Sequence, residues 1–351
     1  MRRRPLLLAP AAALLPAAGI ALPPRTLQFP RDHGAHPELR TEWWYITGHG
    51  MAEGGRLFGF QVTFFRTRVD GTQNLQSRFA ARQLLFAHAA VTDVQGKRLW
   101  HDQRIAREGF GIASAATEDT RLRLRDWSLA REGDAYRAQV PAGAFSLDLR
   151  FAPTQALVLQ GDRGLSRKGP QEQQASYYYS QPQLQATGRL TLQGRGFQVD
   201  GKAWLDHEWS EELLHSDAVG WDWIGMNLHD GSALTAFRLR KQDGTALWAG
   251  GSFRSPQEGG LYVFRPAEVT FSPQRRWTSP LSGATYPVEW IVRTPADFYT
   301  VRALVDAQEL DSRASTGAIY WEGLAELIDS NGKSVGRGYL EMTGYGQRLK
   351  L

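Results

Sequence analysis

The stretch Phe145-Ser146-Leu147-Asp148-Leu149-Arg150-Phe151 alternates apolar and polar side chains with a period of two residues. Successive side chains of a β-strand point to opposite faces of a sheet, so this period predicts a strand with one buried and one exposed face. The same alternation recurs at 121–125, where arginines alternate with Leu122 and Leu124. Because convincing helical periodicity is nearly absent, the sequence predicts an all-β protein.

Asp-Gly and Asn-Gly pairs recur along the chain, and these dipeptides favour the positive φ angles of tight hairpin turns. They are Asp70-Gly71, Asp200-Gly201, Asp230-Gly231, Asp243-Gly244 and Asn331-Gly332. Frequent hairpins predict antiparallel sheet. Closing such a sheet into a barrel removes its exposed edges and leaves an interior that can hold a small ligand.

The N-terminus begins with Met1-Arg2-Arg3-Arg4, and a stretch of leucine and small residues follows. This pattern predicts a secretory signal peptide over residues 1–21 and a periplasmic or secreted protein. Several prolines in the apolar stretch argue against a permanent transmembrane helix, and an uncleaved N-terminal anchor is the alternative. Loss of the three arginines would lower the formal net charge from +5 to +2.

The remaining 330 of 351 residues exceed the usual size of one domain. A polar, glycine-rich segment at 161–174 is typical of a linker. We therefore predict two consecutive lipocalin-like antiparallel β-barrels, with an N-terminal barrel at 22–172 and a C-terminal barrel at 173–351.

Several classes of function are disfavoured by composition and motifs. The chain has no cysteine, which excludes disulfides, zinc-thiolate sites and cysteine nucleophiles. Its charges are interspersed, so no nucleic-acid partner is predicted, and no Gly-x-Ser-x-Gly motif supports a serine hydrolase. The histidines lack the tight spacing of metal motifs, so no metal is predicted. The sequence carries no signal for the oligomeric state.

The densest group of reactive side chains is Asp206-His207-Glu208, which lies between Trp204 and Trp209. Burial among aromatic rings raises the pKa of an acid toward neutrality, as general acid catalysis on an apolar substrate requires. All three are catalytic candidates. On a regular strand, Asp206 and Glu208 share one face, while His207 and Trp209 share the other. We predict that His207 and Trp209 line a pocket, and the opposite arrangement stays open.

Asp222 is a fourth catalytic candidate, because it lies between Trp221 and Trp223, whose rings would exclude water and raise its pKa. On a strand, however, the two tryptophans share a face that Asp222 does not. Asp222 joins them in one pocket only if the chain bends, which the adjacent Gly220 permits.

Ordered motifs along the chain resemble the AttH-like and carotenoid 1,2-hydratase family. They include Glu42-Trp43-Trp44-Tyr45-Ile46-Thr47-Gly48, Trp204-Leu205-Asp206-His207-Glu208-Trp209-Ser210, Tyr320-Trp321-Glu322-Gly323 and Gly338-Tyr339-Leu340-Glu341. The resemblance implies two lipocalin-like barrels and, for the hydratases, addition of water to an isoprenoid double bond without metal or organic cofactor. It also implies roles for a histidine, a tryptophan and an aspartate, which His207, Trp209 and either Asp206 or Asp222 match here.

We therefore predict an apolar small-molecule ligand and an acid-catalysed, cofactor-independent hydratase or lyase reaction. The candidate substrate-binding residues are aromatic: Trp44, Tyr45, Tyr178, Trp209, Trp221 and Trp223. The alternative is a non-catalytic periplasmic carrier of a lipid-like ligand, or an accessory protein of an ABC-type envelope transport system. A cavity acid within reach of water favours the enzyme, and a purely apolar cavity favours the carrier.

Overall fold

The computed structural model describes residues 21–212, 214–256 and 260–348. Strands contain 59% of the residues and helices contain 3%, so the predicted all-β fold is confirmed. The helices are short 3-10 turns at Arg31–His33, Asp70–Thr72 and Pro266–Glu268. In the ranges that the structure describes, none is long and apolar enough to cross a membrane. The predicted signal peptide, apart from Ala21, lies outside the described residues.

The first sheet has thirteen antiparallel strands and curls into a nearly closed barrel. Its strands are β1 (Thr41–Ala52), β2 (Leu57–Arg68), β3 (Gln83–Asp93), β4 (Arg98–Arg107), β5 (Ala113–Ala115), β6 (Arg121–Leu124), β7 (Trp127–Glu132), β8 (Ala135–Pro141), β9 (Phe145–Ala152), β10 (Val158–Leu159), β11 (Leu165–Arg167), β12 (Ala175–Leu192) and β13 (Arg195–Ser210). The order is β4-β3-β2-β1-β13-β12-β9-β8-β7-β6-β5, and β10 and β11 pair with β12. Along β9, the alternation that predicts this strand is confirmed by alternating burial.

The second large sheet has ten strands: β14 (Ala218–Leu228), β15 (Ala233–Lys241), β16 (Ala246–Arg254), β17 (Leu261–Phe264), β18 (Thr270–Pro273), β21 (Glu289–Arg293), β22 (Phe298–Ala303), β23 (Glu309–Ser312), β24 (Ala318–Ile328) and β25 (Ser334–Met342). Their order is β17-β16-β15-β14-β25-β24-β22-β21-β18, with β23 paired to β24. A separate hairpin joins β19 (Arg276–Thr278) and β20 (Thr285–Pro287).

Three of the five predicted turn pairs form hairpin turns with positive φ at the glycine: Gly231, Gly244 and Gly332. Asp70-Gly71 instead starts a 3-10 helix, and Asp200-Gly201 lies within β13. A Cβ atom at Gly201 would lie 1.9 Å from the carbonyl oxygen of His49. Glycine there permits the close approach of β13 to β1 and does not serve a turn.

The chain passes from the first sheet to the second between β13 and β14, later than the domain boundary predicted at 172/173. The polar segment at 161–174 does connect strands, but β10 and β11 beside it fold back onto β12. Strands β12 and β13 follow this segment and insert between β1 and β9. They complete the first sheet because their alternating apolar side chains fill its barrel.

Strands β1, β12 and β13 form a wall that separates the barrel interior from the second sheet, and we call them the shared wall. In their register, Trp44 pairs with His207 and Tyr45 pairs with Asp206. Trp44 packs in the barrel core, whereas Tyr45 packs in a cluster with Trp223 of the second sheet. Consecutive residues of the shared wall therefore face two different chambers.

Candidate active site

A cavity with a volume of about 150 Å³ lies between the two sheets. Cavities of this size hold ring-sized apolar molecules. Its walls come from the outer face of the shared wall, from β2 and β3, and from β14, β15, β24 and β25. The apolar part of the lining consists of Trp43, Phe65, Phe86, Trp221, Trp223, Phe237, Leu239 and Ala318. The cavity suits a small apolar molecule or one end of a longer one.

Asp206 lies in this lining and is 3% exposed. Its Oδ1 accepts hydrogen bonds from Ser180 Oγ at 2.5 Å and from Trp204 Nε1 at 2.7 Å, and Oδ2 accepts one from Tyr178 Oη at 2.8 Å. Burial raises the pKa of Asp206 to about 7, although these hydrogen bonds lower it. Asp206 can therefore hold a proton near neutral pH and release it.

Glu208 lies two residues further along β13, on the same face and in the same lining. It accepts a hydrogen bond from Ser176 Oγ and forms an ion pair with Lys168, whose Nζ is 2.9 Å from Oε1. The Lys168 ammonium also lies 4.5 Å from the ring centre of Tyr178 and 4.4 Å from that of Phe237. Glu208 is thus held as a partner of a buried cation.

Glu322 and Glu341 lie opposite each other on β24 and β25, and both line the cavity. Burial, and after it the charge of Glu341, raises the pKa of Glu322 well above its usual range. Burial also raises the pKa of Glu341 to about 7. Because two adjacent carboxyl groups away from water do not readily ionise together, the pair retains at least one proton at neutral pH.

His88 on β3 lies between two hydroxyl groups, with Nδ1 2.8 Å from Tyr320 Oη and Nε2 2.8 Å from Ser315 Oγ. Ser315 Oγ donates to Gln103 Oε1 at 2.6 Å, so His88 Nε2 donates to Ser315 and Nδ1 accepts from Tyr320. Burial lowers the pKa of His88 to about 3. The imidazole is neutral and fixes the direction of the Tyr320 hydroxyl.

The opposite face of the shared wall carries a second polar cluster inside the barrel. Glu42 Oε1 lies 2.7 Å from His36 Nδ1 and 2.9 Å from His207 Nε2, and Oε2 lies 2.8 Å from Arg66 Nε. The pKa of Glu42 is lowered because hydrogen bonds to His207 and His36 outweigh its burial. His207 also stacks on Trp44 at 4.6 Å. This buried cluster joins the N-terminal segment to the wall.

The ligand atoms of His36, Glu42 and His207 lie within 4.8 Å of one another, as a metal site requires. The guanidinium of Arg66 already neutralises the Glu42 carboxylate, and both residues are at most 1% exposed. A divalent cation beside that guanidinium would meet like charge in a low-dielectric interior. The donor set therefore fits a charge-balanced hydrogen-bond network better than a metal.

The predicted site residues divide between these chambers. The cavity brings together Asp206, Glu208, Tyr45, Tyr178, Trp221 and Trp223. His207, Trp209 and Trp44 instead pack inside the barrel, so β13 has the arrangement that the sequence analysis left open and not the one it preferred. The reason is the register of β13 with β1, which pairs His207 with the barrel-facing Trp44.

Asp222 faces away from the cavity into the second sheet. Its Oδ2 lies 2.7 Å from Arg238 Nε, and its Oδ1 accepts a hydrogen bond from Tyr345 Oη at 2.8 Å. The strand does have an irregularity, but it lies between Ala218 and Gly220. Because regular alternation resumes at Trp221, Asp222 remains opposite the two tryptophans.

Four further residues line the cavity that were not predicted from the sequence: Glu322, Glu341, His88 and Lys168. The first two belong to motifs that carry the family resemblance, and the alternation of Tyr320 and Glu322 would have placed both on one face. Lys168 carries no comparable local signal, and the proximity of His88 and Lys168 to the acids arises only from packing between distant parts of the chain.

The sequence model of the AttH-like family matches residues 20–345. A crystal structure at 2.00 Å resolution, described as an AttH protein of Nitrosomonas europaea, is 46% identical to this chain. The alignment covers 93% of this chain and 99% of that chain, with a TM-score of 0.86. No curated protein matches the chain in sequence.

More distant structures share the fold. Kievitone hydratase from Nectria haematococca aligns with a TM-score of 0.66 at 14% identity, over 92% of this chain and 96% of that chain. CghA aligns with a TM-score of 0.54 at 14% identity, over 97% of each chain. Identities this low establish a common architecture, while activity depends on the residues of each site.

Proposed function

The chain belongs to the AttH-like family, and we propose that it is a hydratase or related lyase that acts by acid catalysis on a hydrophobic, isoprenoid-like molecule. The reaction would take place in the cavity between the two sheets. The observation that carries this proposal is Asp206, an acid with a pKa of about 7 in a largely apolar cavity. The fold shared with kievitone hydratase supports it.

The cavity offers the groups that hydration of an alkene needs. A protonated Asp206 donates its proton to one alkene carbon, so that a C–H bond forms and the π bond breaks. The adjacent carbon becomes a cation, which indole rings such as those of Trp43 and Trp223 stabilise by about 2 kcal/mol when desolvated. The oxygen of a water molecule then forms the C–O bond. The proton that this water loses returns to the Asp206 carboxylate, which regenerates the acid.

Three hydrogen-bond donors surround Asp206, and they serve the second half of this cycle. Ser180, Trp204 and Tyr178 stabilise the carboxylate that forms when the proton leaves. Burial opposes that ionised form, so the acid stays balanced between its two protonation states. The reverse reaction, loss of water from an alcohol, uses the same groups in the opposite order.

The test is replacement of Asp206 by its amide, Asp206→Asn. The protein is incubated with acyclic isoprenoid alkenes in ¹⁸O-labelled water, and labelled alcohols are measured by mass spectrometry. Loss of a general acid lowers the rate by about 10²-fold or more. The matched control is Asp148→Asn, since Asp148 is an exposed acid paired with Arg137, and it should retain the wild-type rate. Unchanged turnover in Asp206→Asn would refute the role of Asp206.

The alternative is a carrier, or an accessory protein of an ABC-type envelope transporter, because the apolar lining would serve that role equally well. A carrier would bind the alkenes with no incorporation of labelled oxygen. Extraction of apolar molecules that co-purify with the protein would identify the class of ligand in either case.

We also propose export to the periplasm, which the arginines and apolar stretch of residues 1–21 support. N-terminal sequencing of protein recovered from the periplasmic fraction should begin near residue 22. Retention of residues 1–21 in a membrane fraction would indicate the anchor instead.

A further inference from the structure

The cavity contains three buried polar atoms that have no hydrogen-bond partner among the described residues: Tyr45 Oη, Gln61 Oε1 and Glu322 Oε1. Their residues are 6%, 1% and 1% exposed, and all three line the cavity. Buried polar groups in folded proteins are almost always paired, because an unpaired one loses its bonds to water without compensation. Three such atoms in one cavity point to a ligand.

The hydrogen-bonding character of each atom follows from its surroundings. Gln61 Nε2 lies 2.7 Å from Glu322 Oε2 and 3.1 Å from Thr63 Oγ1, so the amide hydrogens are used and Oε1 is a free acceptor. Burial raises the pKa of Glu322 well above its usual range, which favours the neutral form of this carboxyl group. Because Oε2 accepts from Gln61 Nε2 at 2.7 Å, Oε1 is the oxygen that is placed to carry the proton and donate it.

Tyr45 supplies the third group. Burial raises the pKa of its phenol well above the usual value, so the hydroxyl keeps its proton and can donate. The Tyr45 hydroxyl lies close enough to Glu322 to lower the pKa of that carboxyl, but within the described ranges neither Tyr45 Oη nor Glu322 Oε1 has a partner with hydrogen-bond geometry. Two donors and one acceptor are thus available together.

The group that complements two donors and one acceptor is a hydroxyl, whose oxygen accepts two hydrogen bonds and whose hydrogen donates one. We propose that Tyr45, Gln61 and Glu322 form a subsite that binds the hydroxyl group of an otherwise apolar ligand. An anionic head group would meet the carboxyl groups of Glu341 and Asp206 in the same cavity, which disfavours it. The proposal rests on the cavity being the substrate site of the proposed function, where the product of hydration carries such a hydroxyl.

Tyr320 provides a matched comparison within the same cavity. It is buried and lines the cavity as Tyr45 does, but its hydroxyl already donates to His88 Nδ1 at 2.8 Å. Replacing Tyr45 by phenylalanine should therefore remove a ligand contact, while the same change at Tyr320 should remove an internal hydrogen bond.

The experiment compares the affinities of hexanol and heptane, which have equal numbers of heavy atoms, for the purified protein. Binding is followed by the fluorescence of the tryptophans that line the cavity. Hexanol has no double bond to hydrate, so its binding does not depend on turnover. Heptane leaves water more readily than hexanol, so each affinity is divided by the partition coefficient of the same compound from water into hexadecane. On this scale, hydrogen bonds to the hydroxyl should make hexanol bind at least about tenfold more tightly than heptane.

The variants test which residues produce this preference. Tyr45→Phe should reduce it by about threefold or more without lowering the melting temperature, because the Tyr45 hydroxyl has no hydrogen-bond partner among the described residues. Tyr320→Phe should lower the melting temperature and retain the preference. Glu322→Gln, which keeps a donor and an acceptor, should also retain it, whereas Glu322→Met should lose it.

Equal binding of hexanol and heptane by the wild-type protein on this scale would overturn the subsite, as would a preference that is undiminished in both Tyr45→Phe and Glu322→Met. If the preference and its loss are observed but no alkene is hydrated, the subsite stands and the proposed function fails. If hydration is observed without the preference, the function stands and the subsite fails.

Discussion

The replacement Asp206→Asn should change how the stability of the protein depends on pH. Asp206 is buried in the shared wall, and its pKa rises from 3.8 to about 7 on folding. A raised pKa in an acid means that folding favours the neutral form. Asp206 therefore places no electrostatic cost on the fold below about pH 4, and the folded state loses stability as the pH rises from about 4 to about 7.

The size of this effect follows from the shift. About three pKa units at 1.36 kcal/mol each give a destabilisation of about 4 kcal/mol when Asp206 is ionised in the folded state. Asparagine resembles the neutral acid in shape and hydrogen bonding and does not ionise. The free energy of unfolding of the variant, relative to the wild type, should thus increase by about 4 kcal/mol between pH 4 and pH 8.

Urea denaturation at several pH values measures this difference in the free energy of unfolding. Comparing Asp206→Asn with the wild type at each pH removes the contribution of all other titrating groups, because both proteins contain them. Asp222→Asn is the control, because Asp222 is equally buried but paired with Arg238. Removing one partner of a buried ion pair costs about 3–5 kcal/mol, so this variant should be less stable than the wild type at pH 8. A pH-independent difference between Asp206→Asn and the wild type would refute the reasoning.

Three further outcomes are expected. Arg66→Met leaves the buried Glu42 carboxylate without its cation and should lower the free energy of unfolding by about 3–5 kcal/mol in urea denaturation, and an unchanged midpoint would contradict it. Gly201→Ala introduces a methyl group against the carbonyl oxygen of His49 and should lower stability by about 1–3 kcal/mol; a melting temperature equal to that of the wild type would contradict the close approach. With a substrate in hand, the hydration rate should fall as the pH rises above about 7, because Asp206 then loses its proton, and a rate that increases there would point to a general base.

Local pattern predicted most of the fold and only part of the site. The alternation along 145–151 predicts a strand because side-chain direction in a strand is fixed by geometry alone. The same rule separates Asp206 from His207 onto opposite faces. Which face meets the cavity depends on the pairing of β13 with β1, which no local pattern encodes. Asp200-Gly201 is a second case in which local sequence does not determine structure. The dipeptide is typical of a turn, but its pairing with β1 places it within a strand.

The lining residues from distant segments could not be predicted for a related reason. Lys168 reaches Glu208 from the segment before β12, and His88 reaches Tyr320 across the two sheets. Such contacts depend on how the sheets pack and not on sequence spacing. Glu322 lay within a recognised motif, but its role emerges only when the hydrogen-bond partners of its two oxygens are counted.

Because β13 belongs to the shared wall, its alternate residues face different chambers, much as alternate frames of a message carry different content. Asp206 and Glu208 face the cavity, whereas His207 and Trp209 face the barrel interior. Substitutions at every second position of β13 therefore change the lining of one chamber and leave the other unchanged. A one-residue deletion in β13 upstream of Asp206 would shift this frame and exchange the contents of the two chambers. The imidazole of His207 would then enter the cavity, and two carboxyl groups would enter a barrel that has no Lys168 or Ser180 to receive them.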